Sequence, residues 1–158
     1  LAVSSDPKEA LRLLAARLRE DGTPISPYVV ETEEKPVFGL LAALGERAAE
    51  APGEYALIVE AVREGYLLHY GTPRLIRTDD ADLSLLAGDY LYALGIERLA
   101  ALGDSRAIVL LADLIGSCAQ LHAEAREDEV PALWRSTAMA IGAGEDGDRD
   151  AAQRRDMG

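Results

Sequence analysis

Leu11, Leu14, Ala15 and Leu18 recur at spacings of three and four, the period that lines apolar side chains along one face of an α-helix. Asp6-Pro7-Lys8-Glu9 stands ahead of them as a start signal: a carboxylate to cap exposed amides, proline at the first helical position, and glutamate three residues after the cap. A first helix is therefore predicted to run to about residue 20, stopped at Gly22 by a left-handed backbone. Residues 23–35, with Pro24, Pro27 and the acids Glu31, Glu33 and Glu34, read as a surface connector.

The same reading gives a second helix from Pro36 to about residue 51, with Phe38, Leu41, Ala42 and Leu44 on its apolar face and Pro52-Gly53 as its stop. A third helix is expected over residues 54–70, antiparallel to the second across a short turn. Gly71-Thr72-Pro73 breaks the chain, and Thr78-Asp79-Asp80 offers caps for a fourth helix ending near residue 102. Gly103-Asp104-Ser105 separates it from a fifth over residues 106–126, where Leu110, Leu111, Leu114 and Ile115 form the stripe, and a sixth is expected over residues 131–141.

Abundant alanine and leucine with few aromatics favour helix over sheet, so the expected class is all-α, an antiparallel helical bundle in one domain over residues 1–141. From residue 142 onward the composition turns to glycine, aspartate, glutamate and arginine. This tail is expected either to be mobile or to extend as a helix over residues 149–155. The formal net charge of −12, with no basic patch, disfavours nucleic acid and anionic lipid as partners. No run of about 18 apolar residues and no signal peptide is read, and the lone Cys118 excludes an internal disulfide, so a cytoplasmic protein without a membrane span is expected.

Candidate chemistry is sparse. Asp79, Asp80 and Asp82 form the densest carboxylate cluster; they offer oxygen ligands to a hard cation, but their place ahead of a helix suits capping better. His69 and His122 are the only histidines and read first as packing residues. Cys118 and His122 share a helical face, but a nucleophilic pair needs a third residue and a pocket. Tyr66, Tyr70, Tyr90 and Tyr92 are candidates either for packing or for the wall of a cavity between helices three and four. Esterase, phosphate-loop and zinc-protease motifs are absent.

Leu86-Ala87-Gly88-Asp89-Tyr90-Leu91, then Leu99-Ala100-Ala101-Leu102-Gly103-Asp104 and Leu111-Ala112, resemble the mid-chain helix pair of the trans-polyprenyl diphosphate synthase family. Ile58-Val59-Glu60-Ala61-Val62 and Leu67-Leu68-His69 resemble that family's preceding helix, and the weaker likeness spans about residues 36 to 125. The resemblance implies part of the isoprenoid synthase fold. Where the family carries its first magnesium-binding aspartate motif, however, this chain has Tyr70-Gly71 after His69, and of the family's basic diphosphate-gripping motif only Lys35 remains.

The resemblance therefore implies a catalytically silent relative with no catalytic residues, no metal and no cofactor, acting as a non-catalytic or regulatory subunit of a prenyl diphosphate synthase. Tyr66, His69, Tyr70, Asp89 and Tyr90 are then candidates for cavity-lining positions. Its expected partner is a second copy or a catalytic prenyl synthase subunit. The alternative is a stand-alone helical homodimer that binds a small apolar ligand or serves as a scaffold. A third reading retains catalysis through Asp79, Asp80, Asp82 and Asp89.

Overall fold

The computed structural model describes residues 6–144, and these form an all-α bundle of six α-helices: α1 (Ala10–Glu20), α2 (Val37–Ala43), α3 (Pro52–Tyr70), α4 (Ala81–Leu102), α5 (Ser105–Ala123) and α6 (Val130–Gly142). The proposed tail helix over residues 149–155 lies outside the described residues. Helix α3 is the axis of the bundle and packs against α1, α2 and α4, while α6 packs against α2 and α5. Its burial explains its composition: it is apolar nearly all round and feeds two cores at once. Tyr55, Ile58, Val62 and Tyr66 meet Leu111, Leu114, Trp134 and Ile141 on one side. Leu57, Ala61 and Leu68 meet Leu11, Leu14, Leu18, Leu75 and Leu91 on the other.

The start and stop signals act largely as their chemistry dictates. Asp6 accepts a hydrogen bond from the Lys8 amide at 3.0 Å, Pro7 opens a 3-10 turn that leads into α1, and Gly22 takes φ +63° just past its end. Asp80 caps α4 by accepting from the amides of Asp82 and Leu83, and Gly103 closes that helix with φ +72°. Asp104 then caps α5 through the Ala107 amide at 3.0 Å while accepting the Tyr55 hydroxyl at 2.5 Å.

Three boundaries differ from expectation. The second helix is short, ending at Ala43, because the chain turns at Leu44 and Gly45, where a side chain on Gly45 would collide with the backbone of Gly142 at the end of α6. Pro52-Gly53 does not terminate a helix but forms the first turn of α3, where proline lacks only an amide that has no helical partner anyway. Helix α5 stops at Ala123, where Ala125 adopts φ 55° and the Arg126 amide folds back to the Leu121 carbonyl at 2.8 Å. By length and composition alone α5 is apolar enough to cross a membrane, a test that the core helix of a soluble protein also passes, because Arg106 and Asp113 are too few to offset its leucines, isoleucines and valine.

The most extensive helix pairing is the antiparallel crossing of α3 and α4, and it is close. A Cβ on Gly65 would fall 2.9 Å from the Gly88 carbonyl oxygen and 2.8 Å from a Tyr92 ring carbon, and one on Gly95 would fall 2.6 Å from a Val62 methyl. Arg98 closes the far end of the seam with two hydrogen bonds to the Glu54 carboxylate, at 2.5 and 2.7 Å. Residues 71–80 return from α3 to α4 across an isolated antiparallel bridge between Val29 and Ile76, which pins the 23–35 connector as well. Gly65→Ala should therefore destabilise the chain by about 1–3 kcal/mol through overpacking, despite the better helix former. At Gly116 in α5 a Cβ would meet nothing within 4 Å, and Gly116→Ala should stabilise by about 0.5–1 kcal/mol. Urea midpoints of the two variants measure both signs.

Candidate functional site

Arg63, Tyr66 and Tyr70 lie at spacings of three and four on α3 and so share one helical face. Phe38 from α2, His122 from α5 and Trp134 from α6 converge on that face. The Tyr66 hydroxyl and His122 Nε2 are 2.8 Å apart, and the His122 ring stacks on Tyr70 at 4.1 Å with 7° between the planes. The Arg63 guanidinium carbon lies 4.8 Å from the Phe38 ring centre and 5.0 Å from those of Tyr66 and Trp134, an arrangement in which three ring faces hold one cation. Burial pushes the Tyr66 phenol up and the Arg63 guanidinium down from their ordinary values.

Cys118 is buried beside this cluster, and burial pushes its thiol up to about 11. A neutral thiol is a poor nucleophile, and Nε2 of His122 is already engaged by Tyr66. A Cys–His nucleophilic pair is not assembled here.

The expected cavity-lining residues separate into three groups. Tyr66 and Tyr70 belong to the aromatic cluster, with His69 at its margin, 5.9 Å from the Tyr70 ring and 5.3 Å from Tyr92. Asp89 is 71% exposed in its side chain and touches only the edge of this region, its Oδ1 lying 3.3 Å from His69 Nε2 without hydrogen-bond alignment. Tyr90 turns to the other core, where its hydroxyl donates to Asp21 at 2.6 Å; burial and then this bond push its phenol up to about 12. Neighbours in sequence thus serve different faces of α4, a consequence of the 100° turn per residue.

The aspartates ahead of α4 do not form a metal centre. Asp79, Asp80 and Asp82 are exposed, Asp80 is spent on the cap, and among the described residues no three of His, Cys, Asp and Glu converge to hold an ion. Tyr70, stacked on His122, and Gly71 at the end of α3 likewise supply no carboxylate. These residues do not fit a pair of magnesium ions holding a diphosphate.

A second cluster escaped the sequence reading. Glu60 and Glu64, four apart on α3, are fully buried and share Arg74 of the following connection. Arg74 donates from Nη1 to Glu60 Oε2 at 3.0 Å and from Nε to Glu64 Oε1 at 3.1 Å. Glu64 also accepts the amides of Arg74 and Leu75, at 2.9 and 2.8 Å. The available signal was two acids one turn apart inside an otherwise apolar helix, which require a buried cation from elsewhere in the chain. A shallow groove of about 350 Å³ lies between α1 and residues 31–32, floored by Leu11, Ala15 and Leu75.

Two outcomes check these assignments. Asp80→Ala should cost about 0.5–2 kcal/mol as a lost helix cap and leave magnesium titrations by calorimetry unchanged from the parent. Cys118 should resist a thiol reagent in the native chain and react at the rate of a free thiol in urea. Compared with protein families, with curated proteins and with solved structures, the chain matches no family model, no curated protein and no solved structure.

Proposed function

We propose that this chain is a catalytically silent relative of the trans-polyprenyl diphosphate synthases that acts as a helical, non-catalytic or regulatory subunit, packing the outer side of α4 and α5 against a prenyl synthase partner. The observation that carries the reading is the double stripe on α5. Ala107, Leu111, Leu114 and Cys118 face the core at spacings of four, three and four. Val109, Ala112, Gly116, Ala119 and Ala123 repeat on the opposite, exposed side at spacings of three and four.

A helix with one buried stripe ordinarily carries charge on its other side. Here the outer stripe is uncharged and, past Val109, small, with Asp113 the one exposed charge beside it among residues 107–123, and only 22% of this apolar segment is buried; such a surface lets another helix approach closely. Helix α4 adds Leu85 and Leu86, 52% and 63% exposed. The sequence likeness to the synthases supplies the class of partner, and the aromatic cluster, with no carboxylates grouped for metal, supplies the reason for catalytic silence. In this role Tyr66, Tyr70 and His122 contribute wall and hydrogen bonds but no bond-breaking chemistry.

The stripe also suits a second reading, because small uncharged positions are complementary to themselves and a second copy fits them as well. Mixing the chain with an intact trans-polyprenyl diphosphate synthase from the same genome tests the first reading. Rate or product length should change on addition, and Val109→Glu with Leu86→Glu should abolish the change while the far-ultraviolet circular dichroism stays that of a helical bundle. An unchanged rate and product overturn the subunit reading. In that case, sedimentation as a dimer that the same double variant converts to monomer establishes the second.

A further inference from the structure

The Glu60–Glu64–Arg74 cluster holds two acids and one guanidinium in the interior, and the guanidinium does not serve them equally. Glu64 has both oxygens occupied, by the side chain and amide of Arg74 and by the amide of Leu75. Glu60 receives one side-chain hydrogen bond, at Oε2, and its Oε1 is buried without a hydrogen-bond partner. The remaining edge of Arg74, Nη2, approaches the Glu60 backbone carbonyl at 3.5 Å rather than its carboxyl.

We propose that Glu60 is a neutral carboxylic acid in the folded chain and Glu64 the charged partner of Arg74, so that a proton on Glu60 removes the excess charge from the Arg74 lock that holds residues 71–80 on α3. Among the described residues, the groups that face Glu60 are few. Arg74 comes from the connection, Arg63 and Glu64 come from α3 itself, and α2 presents the backbone of Gly39, packed so closely that a Cβ there would lie 2.9 Å from Glu60 Cγ. Arg63 acts on Glu60 only through space and more weakly than Arg74, because its guanidinium is held over the rings of Phe38, Tyr66 and Trp134 rather than hydrogen-bonded to the carboxyl. Two ionised acids against Arg74 would leave an excess negative charge at a site with 0% exposure, and taking up a proton is the cheaper state.

Burial raises the Glu60 carboxyl above its ordinary value, more than Arg74 pulls it down. The sign of the linkage follows. A carboxyl that holds its proton more tightly when folded contributes stability fully present below its unfolded pKa, and that stability is lost as pH rises through the folded value. The lock is therefore tighter in mildly acidic medium, opposite to the usual salt-bridged acid.

Glu60→Gln copies the neutral acid in shape and removes its titration, so urea unfolding of the full chain, the parent and Glu60→Gln compared across pH 5 to 8, reads the proton directly. The ratio of the parent's unfolding constant to that of Glu60→Gln should rise with pH, by up to about tenfold per pH unit until Glu60 ionises. Glu64→Gln should unfold more readily than the parent throughout this range. Infrared spectra of the parent at neutral pH should show a protonated-carboxyl stretch that Glu60→Gln lacks. A ratio that is flat or falls with pH overturns the proposal. Should Glu60→Gln not fold, the parent spectrum decides alone, and a neutral-pH spectrum without that stretch also overturns it.

Discussion

The burial of α3 along most of its length is the constraint that organises this chain. A helix surrounded on all sides has no solvent face on which to place polar groups, yet α3 carries Glu60 and Glu64 one turn apart in its middle. Their neutralisation calls for a cation from outside the helix, and Arg74 provides it only because residues 71–80 double back over α3 before α4 begins. That return path buries Leu75 and Ile76, pairs with Val29, and holds the connector that follows α1. An ion pair in a core is weak evidence for stability but strong evidence for geometry, since breaking it by removing one partner leaves a charge with nowhere to go.

The other demand of a surrounded helix is room. Helices ordinarily pack 8–10 Å apart, and closer approach requires that side chains at the crossing vanish. Gly65 on α3 and Gly88 and Gly95 on α4 meet that demand, and the seam they form places His69 beside Asp89 and Tyr92 beside the α3 backbone. The side chains expected to line a cavity between these helices are divided by this seam: Tyr66 and Tyr70 lie toward α5 and α6, Tyr90 toward α1. In the aromatic cluster the rings pack on one another and on Arg63.

The apolar character of α5 is divided between two uses. Its inner stripe completes the core with Trp134 and Ile141, while its outer stripe and the exposed leucines of α4 are left without a partner inside the described chain. The two mid-helix glycines of α3 and α5 make the contrast plain, for Gly65 is required by its neighbours and Gly116 is not. Helix stability alone favours alanine at Gly116, and nothing within 4 Å in the described chain requires glycine there.

Local chemistry was legible in the sequence because it is local. Asp6 with Pro7, Gly22, Asp80, Gly103 and Asp104 act within four residues of themselves, and the three-four spacing of leucines sets a helix face wherever the helix is placed, so the all-α class and most helix starts followed from the chain alone. What the fold alone decided depends on distant residues arriving at one place. Helix α2 ends early because Gly45 meets Gly142, nearly a hundred positions away, and Pro52 opens a helix rather than closing one because α3 has a bundle to pack into. Tyr70 finds His122, Arg63 finds three rings from three helices, and Glu60 finds Arg74, pairings that spacing cannot encode because the distance along the chain carries no information about distance in space once the chain has folded.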